Sequence, residues 1–171
     1  MWAGPHIFHL EVERIAVDFL LSCGSLALFI AALLFAAVSD IKTRQIPNAA
    51  PLILFASGLL NFLLGGPFLY HILSSLFGLF LGGFPLLILA LWRKGVGGGD
   101  VKLAACAGFS LGGLGSYLAM IAALIGFVLL GYFLPGKKKR DLSKPLPFAP
   151  FYAAAGIGVS LILSIFRPLI F

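Results

Sequence analysis

Apolar residues run along this chain in long blocks, and the few charged positions fall between the blocks rather than within them. Residues 19–39 carry no charge over 21 positions, about the length at which an α-helix crosses a bilayer. Residues 46–92 carry none over 47 positions. Gly65-Gly66-Pro67 interrupts that stretch and predicts two helices, about 49–64 and 68–91, joined by a turn. Residues 103–136 span 34 positions, too many for one upright helix and few for two. Gly112-Gly113 and Gly115 mark a turn there, which leaves the fourth segment short. Residues 145–166 supply a last run of 22. The pattern predicts an all-α, polytopic membrane protein with about six transmembrane helices, organised as a single domain over 1–171.

Composition sharpens this picture. Of 171 residues, 61% are hydrophobic and 11% charged, where a soluble domain carries about a quarter charged residues. Disorder is excluded as well, since disordered chains are polar and poor in aromatics and this one holds 17 Phe. Cys23 and Cys106 stand alone in apolar stretches, so no CxxC pair, zinc knuckle or disulfide framework is encoded. The net charge of +6 comes mainly from three clusters: Lys42 with Arg44; Arg93, Lys94 and Lys102; and Lys137, Lys138, Lys139, Arg140 and Lys144. Basic loops favour the cytoplasmic face, and an even number of spans between clusters allows all three to lie there, with both termini outside. Lys137–Arg140 therefore reads as an orienting loop near anionic lipid rather than a nucleic-acid contact.

Six acids occur, and two of them stand apart. Asp40 closes the first apolar run and Asp100 opens the fourth, so this topology brings both to the cytoplasmic boundary. Ionisable groups at membrane depth are expensive and by default point to function. Asp40 begins the polar link Asp40-Ile41-Lys42-Thr43-Arg44-Gln45-Ile46-Pro47-Asn48, in which Asn48 can cap the next helix and Pro51 fits its first turn. Asp100 follows Gly95-Val96-Gly97-Gly98-Gly99, a run whose entropic cost is hard to explain as filler. Two carboxylates close together in a poorly hydrated site tend to share one proton, which equips them for aspartic-protease chemistry without metal or bound cofactor. Taken singly, either aspartate also fits an ordinary helix cap or loop residue.

Asp40 with Ile46-Pro47-Asn48, then Gly97-Gly98-Gly99-Asp100-Val101-Lys102-Leu103, resemble the signatures of the type IV prepilin peptidases, which belong to the GxGD class of intramembrane aspartyl proteases. The stretch Pro147-Phe148-Ala149-Pro150-Phe151 is similar to the Pro-Phe-x-Pro-Phe run at the start of that family's last helix. The resemblance implies a multi-pass endopeptidase of the bacterial inner membrane that removes a short basic leader from pilin-like precursors at the cytoplasmic face. It implies Asp40 and Asp100 as the catalytic pair and Gly97, Gly98, Gly99 and Lys102 as the active-site loop. Pro47, Asn48, Pro147, Phe148 and Pro150 would be supporting positions, with no metal and no cofactor. The implied partners are a prepilin or pseudopilin substrate, membrane lipid, and pilus or secretion machinery, with no nucleic acid. Longer family members carry paired CxxC motifs in a preceding cytoplasmic segment and also methylate the product. Neither feature is encoded here, so a short, peptidase-only form is expected.

Rival readings use other residues. Gly108-Phe109-Ser110-Leu111-Gly112 matches GxSxG, but that nucleophile elbow requires a strand-to-helix turn, whereas small residues in a membrane helix serve packing. No HExxH zinc motif occurs. A small transporter or assembly scaffold, with Asp40 and Asp100 as proton or ion sites, is the alternative from another class. It would place its acids near the bilayer midplane rather than at one face.

Overall fold

The structure, a computed structural model, describes residues 5–64, 68–92, 97–133 and 148–170. They form five helices: α1 (Pro5–Thr43), α2 (Ala49–Leu64), α3 (Phe68–Trp92), α4 (Gly98–Phe133) and α5 (Ala149–Ile170), with no strand among the described residues. The bounds of α2 and α3 follow the charge-free blocks closely. The Gly65-Gly66-Pro67 turn, Pro147 and most of the basic clusters lie outside the described residues. α1 begins well before the first apolar run and continues through Glu11, Glu13 and Arg14, because charge limits what a helix can insert into lipid but does not stop it from being a helix. Three stretches are long and apolar enough to cross a membrane: Phe19–Thr43, Leu69–Trp92 and Gly98–Leu129.

The last of these is not one straight rod. Gly112 inside α4 has φ 74 and ψ 178, a conformation that a side chain would strain, and the chain reverses there. In a continuous helix Ala104 and Phe127 would stand about 35 Å apart. Here both meet the first turn of α5: Tyr152 donates to the Ala104 carbonyl at 3.3 Å, and the Phe127 ring lies 5.9 Å from that of Phe148. α4 is therefore a hairpin of two arms, 98–111 and 113–133, and the turn expected from the glycine cluster is made at the single residue Gly112. The first arm is about 21 Å long and α2 about 24 Å, both shorter than the bilayer's hydrocarbon core of about 30 Å.

Bulk is distributed opposite to the pattern of a soluble protein. The interior is rich in small residues, with Ala32, Ala36, Ala37, Ala50, Ala104, Ala107, Ala123, Ala149 and Ala153 buried around Leu33, Leu54, Leu86 and Leu103. Large apolar side chains such as Phe77, Phe80, Leu91 and Trp92 face outward. Lipid gives no hydrophobic drive to bring helices together, so close backbone approach and interhelical hydrogen bonds must hold them. α3 and α4 show this most clearly. A Cβ at Gly78 or Gly108 would collide with the backbone of the other helix, and Ser116 Oγ donates to the Gly78 carbonyl at 2.9 Å. Between other helices, Ser25 Oγ donates to Asn61 Oδ1 at 2.6 Å, and the Ser57 and Ser110 hydroxyls share a bond of 3.1 Å. The GxSxG serine is thus engaged in helix packing.

This packing yields a contrast in stability. Gly108→Val should overpack the α3–α4 contact and cost about 1–3 kcal/mol or more. Gly24→Ala, where an added Cβ meets nothing within 4 Å, should be neutral or stabilising. Thermal unfolding of the purified variants in detergent checks both.

Candidate active site

α1 ends with a device that aims Asp40. Ser39 Oγ donates to the Gln45 carbonyl at 2.9 Å, and Thr43 Oγ1 donates to the Ser39 carbonyl at 2.9 Å and to Gln45 at 3.3 Å. Arg44 takes the left-handed conformation, φ 53, with its N–H donating to the Asp40 carbonyl at 2.9 Å. That position is usually given to Gly or Asn, so an arginine there carries some backbone strain. The sharp turn releases the chain toward Ile46 and leaves the Asp40 side chain pointing inward, 7% exposed. Its Oδ2 accepts the Ala149 N–H at 3.2 Å. Ala149 is the first residue of α5, so the carboxylate sits on that helix's N-terminus, where unpaired amides and the helix dipole favour negative charge.

Asp100 lies in the first turn of α4. Its own N–H donates to the Gly97 carbonyl at 3.1 Å, and Gly97 N–H donates back to Asp100 Oδ2 at 3.3 Å. This reciprocal pair is a short version of a capping box. The other oxygen behaves differently: Asp100 Oδ1 is buried with no hydrogen-bond partner among the described residues. Leaving such an atom unmet costs about 1–3 kcal/mol, so capping alone does not account for the residue. Gly99 explains how the two loops come so close. A Cβ there would stand 3.1 Å from Cβ of Ile46, whereas one at Gly98 would meet nothing within 4 Å.

The two loops enclose a pocket of about 320 Å³ lined by Asp40, Arg44, Gln45, Ile46, Gly97, Gly99 and Asp100. Both carboxylates face it, and Asp40 is near enough for its charge to act on Asp100. Of the other residues singled out in the sequence, Gly98 and Lys102 are exposed near the start of α4 and do not line the pocket. Pro47 and Asn48 start α2: their carbonyls accept the N–H groups of Ala50 at 3.0 Å and Leu52 at 3.4 Å. Phe148 and Pro150 flank Ala149 at the start of α5. Phe148 accepts the amides of Phe151 and Tyr152 at 3.1 and 3.2 Å, and Pro150 occupies the first turn, where its missing N–H costs little.

The charge pattern reads Arg44 only as an orienting charge, yet it stands on the pocket wall and acts electrostatically on Asp40. The Ala149 amide joins the site through the backbone, at the variable position of the Pro147-Phe148-Ala149-Pro150-Phe151 stretch. The signal available in the sequence was the Pro150 that marks a helix start beside it.

A family profile described as the type IV leader peptidase family matches residues 27–136, a range that contains both aspartates. The chain is 40% identical over 139 residues to a prepilin leader peptidase/N-methyltransferase of Bacillus subtilis, covering 75% of this chain and 52% of that protein. It is 36% identical over 132 residues to the protein of that name in Pectobacterium carotovorum, with 73% and 46% covered. A Burkholderia pseudomallei counterpart is 30% identical over 155 residues, with 80% and 49% covered. The chain thus spans about half the length of the curated relatives it matches. No solved structure matches it.

The two aspartates should differ in what they contribute to stability. Asp40→Ala removes the α5 cap and should destabilise the protein by about 0.5–2 kcal/mol. Asp100→Ala removes one long hydrogen bond together with one unmet oxygen, so its change should be smaller or reversed in sign. Thermal unfolding of the two variants side by side tests the contrast.

Proposed function

The chain belongs to the type IV leader peptidase family, and we propose that it is itself an aspartyl endopeptidase of the bacterial inner membrane. Its substrates are type IV pilin-like precursors, from which it removes a short basic leader at the cytoplasmic face. The observation that carries this reading is the shared pocket, where Asp40 and Asp100, sixty residues apart in sequence, come together at one end of the helix bundle. The relatives, prepilin leader peptidases by name, supply the substrate class, and the matched region holds both acids. The proposal concerns the peptidase reaction only.

The chemistry needs one carboxylate, one carboxylic acid and one water. The ionised group takes a proton from water, whose oxygen adds to the scissile carbonyl carbon. The protonated group passes its proton to the carbonyl oxygen, and a tetrahedral diol results. The first group then gives its new proton to the amide nitrogen, the C–N bond breaks, and the diol returns a proton to the second group. Both carboxyls end as they began. Like charges at close range make the mixed state, one ionised and one protonated, the favoured state of the pair.

Position fits the task. The substrate's cut lies just before its own hydrophobic helix, so the site must accept backbone at the membrane surface and still admit water. The short α2 and the short first arm of α4 support a pocket lying near the edge of the hydrocarbon layer. The glycines beside Asp100 keep that wall low. The acids stand at the ends of helices and not in broken mid-membrane segments, which supports hydrolysis over ion transport.

The test is co-expression with a pilin-like precursor in a host lacking any other such peptidase, with mass spectrometry of the product N-terminus. Asp40→Asn and Asp100→Asn should each lower cleavage by about 10²–10⁴-fold while the protein still inserts. Retained cleavage in both variants would remove the aspartyl mechanism.

A further inference from the structure

Tyr152 is the largest fully buried side chain among the described residues, at 0% exposure. In a core built of alanine, glycine and leucine, a phenylalanine would fill the same space without a hydroxyl to satisfy. A buried hydroxyl with one partner adds little net stability over an apolar isostere, so what it contributes is geometry. Its hydrogen bond runs to the Ala104 carbonyl at 3.3 Å. Ala104 lies four residues after Asp100, one helical turn along the same face of α4. On α5, Ala149 lies three residues before Tyr152 on one face, and its N–H is held by Asp40 Oδ2 at 3.2 Å. The first turn of α5 therefore carries one bond to Asp40 and one to the turn behind Asp100. The Phe148 ring, 6.0 Å from that of Tyr152 and 5.9 Å from that of Phe127, fills the space beside it.

We propose that Tyr152 is a positioning residue for the reaction proposed above, on which this inference rests: through the first turn of α5 it fixes the separation of the Asp40 and Asp100 carboxylates. α1 and α4 touch little directly; α2 and α5 each pack against both, and of the two it is α5 that bonds the Asp40 carboxylate itself. A water bridging two carboxyls tolerates little change in their spacing. Losing the Tyr152 bond frees α5 to shift against α4 while the Ala149 bond carries Asp40 with it.

The experiment compares the full chain with Tyr152→Phe, purified in detergent, on one pilin-like precursor. The variant keeps the ring and should fold. The expected result is a kcat lower by about tenfold or more with KM held within about twofold. The pH profile of kcat should also change, because coupled titration depends on the distance between the two acids. The charged groups around them, Arg44 on the pocket wall and the exposed Lys102, are untouched by the substitution. Hydrogen exchange at the Ala149 amide should speed up, a readout independent of cleavage. A wild-type kcat and pH profile would overturn the proposal, as would a lower unfolding temperature with unchanged kcat per folded molecule. Should the unaltered protein fail to cleave, the peptidase reading falls, and exchange at Ala149 still decides whether Tyr152 holds the first turn of α5: unchanged exchange overturns that role and faster exchange supports it.

Discussion

Asp40 and Asp100 are held in one pocket at one end of the helix bundle, and much of the surrounding packing bears on that placement. Burial and mutual repulsion both act against it. The bundle answers with helix N-termini: Asp40 rests on the first amide of α5, and Asp100 sits in the first turn of α4 with one oxygen on Gly97. Arg44 adds a positive charge on the same wall. One oxygen, Oδ1 of Asp100, is buried with no partner among the described residues. A buried carboxylate oxygen is ordinarily met by a donor or carries a proton, and Asp100 lines the pocket it shares with Asp40.

Bringing the two loops together depends on backbone packing some distance away. α3 and α4 approach until only hydrogens fit at Gly78 and Gly108, and α4 doubles back at Gly112. That reversal returns the chain to the site's end of the bundle, so that α5 can start beside Asp40. Without it, the residues around Phe127 would project far from the pocket and Phe148 would lose its aromatic support. The small-residue interior and the glycine loop thus act together in a densely packed bundle with the Asp40–Asp100 pocket at one end.

Much of this was legible in the sequence. Charge-free blocks delimit α2 and α3, since lipid excludes ions and a helix needs a fixed length to cross it. Asp40 and Asp100 stand out for the same reason. The glycine cluster near 112 marks a reversal, although which glycine turns the chain depends on a φ angle that composition does not show. The role of Arg44 was hidden because its charge explains itself as an orienting signal. The Ala149 amide and the Tyr152 hydroxyl were hidden because each matters only once α5 lies across α1 and α4, an arrangement with no local pattern. Likewise α1 extends back to Pro5, since the charges that end an apolar run do not end a helix.

The central claim is that the two aspartates face each other across one pocket, and proximity measured in the membrane tests it most directly. In a chain carrying Cys23→Ala and Cys106→Ala, the double variant Asp40→Cys/Asp100→Cys would be treated with a short thiol-reactive cross-linker. The account predicts rapid intramolecular cross-linking, seen as one added bridge by intact mass and lost in either single variant. Efficient labelling of both thiols singly, with no bridge formed, would contradict it.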